Sequence, residues 1–134
     1  MSYSGSCVCG QVKFTLEGEP EACLVCYCPD CRKGSGHLGQ ILAQYNSKNL
    51  KINDKDNLLT EYIINKTQSG KPKKKYFCSA CGCTTHTVPM AANGEISYVR
   101  HTLIDGDFSS LLPTSSIFDD EKEKVTSCKK SEFY

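Results

Sequence analysis

Two short cysteine pairs, Cys7-Val8-Cys9 and Cys78-Ser79-Ala80-Cys81, stand far apart in the chain and constrain its fold more than any apolar pattern does. Paired thiols that return after a long insertion are the usual layout of a closed four-thiolate zinc site, each pair taking one edge of the tetrahedron. The segment between them is then closed by a metal rather than by burial alone. Gly82, directly after Cys81, suits a tight turn whose backbone N–H groups point at thiolate sulfur. A chain of 134 residues has room for one domain with a modest core, which a metal tie of this kind would reinforce.

The middle of the chain holds a different group. Cys26-Tyr27-Cys28-Pro29-Asp30-Cys31 is a C-x-C-x-x-C run. Its thiolates can take three corners of one zinc, leaving the fourth to water, a substrate or a distant side chain; an open corner separates catalytic zinc from structural zinc. Pro29 restricts the turn between Cys28 and Cys31. Arg32 and Lys33 bring positive charge beside the thiolates and can hold a carboxylate of a bound molecule. Cys23 reads as core, Cys83 as pointing into the core or toward the middle cluster, and Cys128 as a free thiol in a charged tail. Were one of these to complete the middle group, both sites would be structural. Iron is the alternative metal, because it also accepts tetrahedral sulfur.

A disulfide scaffold is the other common use of ten cysteines. The stretch Met1-Ser2-Tyr3-Ser4-Gly5-Ser6 lacks the basic flank and apolar run of a secretory signal, so reduced thiols are expected, in the cytoplasm and with the nucleus as a second location. Lys plus Arg is 16 and Asp plus Glu is 15, a net charge of +1, so no global field draws the chain onto nucleic acid or a membrane. No stretch is apolar for the roughly 18 residues of a membrane helix. Lys71, Lys73, Lys74 and Lys75 form a local basic patch. A nucleic-acid reader would add a broader basic surface and interleaved exposed aromatics, so the patch reads as solvated surface or as a site for a small anionic ligand.

The remaining segments read mostly as short strands. Residues 11–16 alternate, with Val12, Phe14 and Leu16 on one face, and Glu17-Gly18-Glu19-Pro20 breaks the run. Residues 22–28, 39–45, 58–64, 84–88 and 96–103 are further strand candidates, with Ala92-Asn93-Gly94 as a hairpin turn. Lys74, Tyr76 and Cys78 are expected on one face of a strand that runs into the first cysteine site. Residues 28–35 are the one helical candidate. The expected architecture is a mainly β domain over residues 1–118 with a charged tail over 119–134. The run from Asp119 to Lys124 reads as a solvated turn or tail, with a short exposed helix as the alternative. His37, six residues beyond Cys31, is placed to approach the open corner; His86 and His101 read as sheet surface or core.

Three blocks in order resemble a known family. Gly5-Ser6-Cys7-Val8-Cys9-Gly10-Gln11-Val12-Lys13-Phe14 opens it, Cys26-Tyr27-Cys28-Pro29-Asp30-Cys31-Arg32-Lys33 with Ser35-Gly36 follows, and Tyr76-Phe77-Cys78-Ser79-Ala80-Cys81-Gly82 closes it. Together they resemble the glutathione-dependent formaldehyde-activating enzyme family, which includes centromere-protein relatives. The resemblance implies a small zinc-binding β-tent, a fold shared with Rab chaperones and zinc-bearing methionine sulfoxide reductases. It implies two zinc ions per chain, a structural one at Cys7, Cys9, Cys78 and Cys81 and a second at Cys26, Cys28 and Cys31. It implies a carbon–sulfur lyase acting on a glutathione-type adduct, such as S-hydroxymethylglutathione. Asp30 and His37 are then the candidates for proton transfer, and Arg32, Lys33 and Lys71 the candidates for the carboxylates of glutathione. A protein-binding or chaperone-like zinc module and a methionine sulfoxide reductase are the competing readings. Two positions depart from the family pattern: Tyr27 stands where a histidine is usual, and Pro113-Thr114-Ser115-Ser116-Ile117-Phe118 lacks the usual His-Ile pair.

Overall fold

The computed structural model describes residues 1–122; Cys128 and the rest of the tail lie outside them. In chain order the elements are β1 (Ser2–Ser6), β2 (Lys13–Glu17), β3 (Ala22–Cys26), α1 (Pro29–Ser35), β4 (Gln40–Asn46), β5 (Leu50–Asn53), β6 (Leu59–Ile64), β7 (Lys73–Cys78), β8 (Thr84–Pro89), β9 (Ile96–Val99), β10 (Ser115–Ile117) and α2 (Asp119–Lys122). They form a three-stranded sheet, β1-β2-β5, and a seven-stranded one, β10-β3-β4-β9-β8-β7-β6. All pairings are antiparallel except β10 against β3, so the architecture is the mainly β domain the sequence predicts.

The two sheets meet through an apolar layer. Tyr3, Phe14 and Leu16 from the small sheet pack with Cys23, Ala43, Tyr45 and Val99 from the large one, and Ile104 and Leu111 join them. Burying one large aliphatic or aromatic side chain here is worth roughly 1.5–3 kcal/mol. The alternation over residues 11–16 is realised, with Val12, Phe14 and Leu16 all buried. On the opposite face of the large sheet a second layer gathers Leu24, Cys26, Cys28 and Leu42, with Tyr98 against them. That face carries the middle cysteines because the strand period is two: Cys23 faces the sheet–sheet core, whereas Leu24 and Cys26 face away from it. Gly39 lets the chain enter β4 beside the end of β3; a Cβ there would sit 2.5 Å from the Cys26 carbonyl oxygen.

Helix α1 forms where expected. Cys28 is its N-cap, Pro29 stands in its first turn, and Gly36 ends it in a left-handed conformation with its N–H on the Arg32 carbonyl. The strand expected over residues 96–103 ends at Val99 instead. Arg100 N–H makes one more bond to the Thr85 carbonyl at 2.9 Å, and the chain then turns into a 3-10 segment, His101–Leu103, that puts His101 into the core. Strands β1, β5 and β10 carry no expectation from sequence. β1 is rich in Ser and Gly, and β10 is three residues held by parallel pairing to β3. The charge run takes the helical alternative over Asp119–Lys122.

His86 is a satisfied core histidine. Its ring stacks on Tyr76 with centroids 4.5 Å apart, and its Nδ1 lies 2.8 Å from Thr85 Oγ1. Burial, with the Arg100 charge adding to it, lowers its pKa from 6.5 to about 4. The unfolded chain therefore takes up a proton near pH 6.5 and the folded one only near pH 4. The stability this group confers is fully present above pH 6.5 and is lost as pH falls toward 4, at about 1.4 kcal/mol for each pH unit of that interval. Denaturant titrations between pH 7 and 4.5 are expected to show a steeper fall for the native chain than for His86→Phe, by roughly 2–3 kcal/mol. Parallel curves would mean that folding leaves the His86 pKa unshifted.

Candidate functional site

The two outer cysteine pairs converge. Sγ of Cys7 lies 3.5 Å from that of Cys9, and Cys9 Sγ lies 3.8 Å from Cys78 Sγ. All four sulfurs, Cys81 included, fall within 4.8 Å of one another. A tetrahedral zinc with Zn–S near 2.3 Å would separate its sulfurs by about 3.8 Å, so the set fits such an ion without rearrangement. Two matching turns present these thiols. Gly10 N–H bonds the Cys7 carbonyl at 2.9 Å and Gly82 N–H bonds the Cys78 carbonyl at 2.7 Å. Both glycines are left-handed, with φ of 77° and 76°. Val12 N–H donates to Cys7 Sγ at 3.4 Å. Burial works against ionisation of Cys81, yet the Cys83 and Cys9 amides and the Cys78 and Cys9 thiols bring it down to about 6. The Gln11 amide favours ionisation of its neighbour Cys9, but the other three thiols and partial desolvation together outweigh it and push Cys9 up to about 12. Negative charge is thus already shared within the group.

The middle group is also assembled, on a strand, a cap and a helix. Cys26 ends β3, Cys28 caps α1 and Cys31 lies in its first turn. Their sulfurs lie within 4.8 Å of one another, and Cys31 N–H donates to Cys28 Sγ at 3.4 Å. The Cys26 and Cys31 thiols donate to Cys28 and hold it, against the effect of burial, at about 2; the Cys31 amide and the Lys73 charge help. Cys31 in turn is raised by Cys26, Cys28 and burial. Within the set, charge is thus favoured on Cys28 over Cys26 and Cys31. Among the described residues no further His, Cys, Asp or Glu joins these three, so the geometry offers a metal three ligands and one open side.

That open side faces a cavity of about 440 Å³. Its wall carries the three thiols, Asp30, and four cations: Lys66, Lys73, Lys75 and Arg100. Lys73 Nζ lies 2.9 Å from Asp30 Oδ2. Burial opposes charge on Lys73, but the Asp30 partner outweighs it and the pKa rises. Arg100 is 6% exposed. Its Nη1 donates to the Tyr98 carbonyl at 3.2 Å and its Nη2 to Thr87 Oγ1 at 3.0 Å, while its buried Nε has no partner. Apolar Leu42, Pro89, Ile117 and Phe118 add to the wall.

The structure distributes the other predicted residues as follows. Asp30 lines the cavity beside the thiols. His37 is exposed and does not line it; its backbone N–H bonds Ser35 Oγ at 3.0 Å. Arg32 and Lys71 also stand outside this wall, and Lys33 borders a neighbouring hollow with Tyr62, Ile63 and Lys66. Cys83 packs against the four-thiol group rather than the middle one, and burial pushes its thiol up. The sheet pleat splits the basic patch: Lys73 and Lys75 turn to the cavity, whereas Lys74 turns to the other face beside Tyr76. Sequence reasoning missed Arg100 and the turn of Lys73 and Lys75 to the cavity, though it did set Lys74 on the face of Tyr76. Both follow from a period of two, which puts Arg100 on the face of Tyr98 and Lys73 on that of Lys75.

A family model described as glutathione-dependent formaldehyde-activating enzyme matches residues 2–121. No curated protein matches the chain. A crystal structure of a Rhodobacter sphaeroides protein is similar over 84% of this chain and 98% of its own, at 25% identity and a TM-score of 0.61.

Proposed function

The chain belongs to the glutathione-dependent formaldehyde-activating enzyme family, and on that premise we propose that it is a zinc-dependent carbon–sulfur lyase acting on a glutathione-type thiol adduct. S-hydroxymethylglutathione, formed from formaldehyde and glutathione, is the simplest such adduct. The observation that carries this reading is the meeting of three thiols within 4.8 Å at the wall of a cavity lined by cations. Cys7, Cys9, Cys78 and Cys81 would hold a structural zinc, and Cys26, Cys28 and Cys31 a second one. Bound at the three thiols, zinc supplies an attachment point for a substrate sulfur and keeps that sulfur nucleophilic.

The residues of the chain then orient the partners. Lys66, Lys73 and Lys75 hold the carboxylates of the thiol at the cavity wall, a role the sequence assigned to Arg32, Lys33 and Lys71. Thiol and carbonyl combine without an enzyme, so positioning and proton transfer are what the protein adds. Asp30 is the carboxylate of this wall, and with Lys73 at 2.9 Å it is held where a proton relay is needed. A methionine sulfoxide reductase would need a reactive spare thiol at the cavity, and Cys83 packs elsewhere.

Calorimetry of the zinc-loaded protein tests the reading. Glutathione is expected to bind at least about tenfold more tightly than S-methylglutathione, a difference of about 1.4 kcal/mol. Equal binding would remove contact between sulfur and metal. Binding of neither compound would favour the protein-binding module.

A further inference from the structure

Arg100 is the one buried cation in the cavity wall. It is 6% exposed, it makes two hydrogen bonds to neutral oxygens, and among the described residues no carboxylate pairs with it. A guanidinium has five N–H donors in a rigid fork. Two are used by the Tyr98 carbonyl and Thr87 Oγ1, which lock its plane, and Nε–H is buried without a partner. The thiols of the middle cluster favour its charge from a distance, but none bonds its remaining donors, and a buried cation left this way is stabilised by an anion that does. The other cations of the cavity differ: Lys66 is exposed, Lys75 is half-buried on a flexible stem, and Lys73 is already paired with Asp30. They suit solvated carboxylates, whereas Arg100 is desolvated and oriented in advance.

We infer that Arg100 is an anion receptor in the cavity wall, which holds a negatively charged oxygen carried within a few bonds of the substrate's sulfur. The inference rests on the thiol-adduct reading for the identity of that oxygen. When a thiol adds to a carbonyl, the sulfur lone pair forms the S–C bond and the carbonyl π pair moves onto oxygen. The proton lost by the thiol then neutralises that oxygen. Arg100 donates hydrogen bonds to the oxygen while it is charged, and keeps its own protons. Such donors act where charge develops and need no reorganisation at that moment. A carboxylate two bonds from sulfur would present the same chemistry in a stable molecule.

Mercaptoacetate and its neutral methyl ester are the probes, titrated into the zinc-loaded protein, into Arg100→Gln and into Arg100→Lys. The native chain is expected to prefer the acid at least about tenfold, as one charged hydrogen-bonding pair would give. Arg100→Gln is expected to lose that preference with both metals retained. Arg100→Lys, which keeps charge but not the fork, is expected to keep less than about a third of it. Equal binding of the two probes to the native chain, or a preference that survives Arg100→Gln, overturns the inference. So does loss of the middle-cluster metal in Arg100→Gln, since Arg100 would then be the counter-charge of the thiolates. Turnover of formaldehyde with glutathione separates the two claims. A rate at least about tenfold lower in Arg100→Gln at unchanged glutathione affinity supports the alkoxide role. An unchanged rate overturns that role. No turnover by the native chain, with the Arg100-dependent preference intact, sinks the lyase reading and leaves the receptor standing.

Discussion

Replacing Cys78 by serine is expected to abolish the native fold or lower its unfolding midpoint by at least about 15 °C. Cys78 is fully buried at the end of β7, and its sulfur lies 3.8 Å from Cys9 on the turn between β1 and β2. The group therefore links the small sheet to the far half of the large one. Its local apolar packing is thin, since Val12 is the one buried non-cysteine side chain in that cluster. Structural zinc binding is worth roughly 10–16 kcal/mol in small zinc peptides, as much as the whole net stability of a typical domain. Losing a ligand costs a large share of that, and a loss of about 5 kcal/mol already shifts a midpoint by some 15–20 °C in a chain of this size. Thermal unfolding with metal analysis on the same sample decides the matter. A Cys78→Ser variant that melts at the native temperature would remove the structural role from this site.

Cys28→Ser is expected to do the opposite: the middle metal is lost and adduct turnover falls at least about a hundredfold, while the midpoint moves by only a few degrees. Cys28 is one of the three converging thiols of its group and caps α1. Serine is a stronger N-cap than cysteine, so the helix keeps its start while the metal loses a soft ligand. The sheet–sheet core is on the other face of the large sheet and is untouched. Metal content, circular dichroism and turnover measured together check this. If Cys28→Ser unfolds the chain and Cys78→Ser does not, the two sites have exchanged roles.

The cysteine groups were legible because metal ligation leaves a local signature. Cys7 with Cys9, Cys78 with Cys81, and Cys26 with Cys28 and Cys31 are each close neighbours in the chain, so spacing indicates what each segment can grip. The alternation of residues 11–16 and the short helix over residues 28–35 were legible for the same reason, since each is decided by neighbours in the chain. β1, β5 and β10 were not, because their own side chains carry little preference and their pairing partners impose the strand.

The residues expected around the substrate were drawn from those nearest the middle cysteines in sequence, and here sequence and structure part. Asp30 does border the cavity, but Arg32, Lys71 and His37 do not. The cations that do border it, Lys66, Lys73, Lys75 and Arg100, come from the loop after β6, from β7 and from the residue after β9. Sequence by itself determined which thiols lie together in each segment and that a small β domain surrounds them; that no further cysteine of the described residues joins the middle three is a finding of the structure. Only the tertiary structure decided which charges meet the three thiols. A cavity wall takes one residue in two from strands that are adjacent in the sheet and remote in the chain. Its composition therefore depends on register and pleat, which no local spacing encodes.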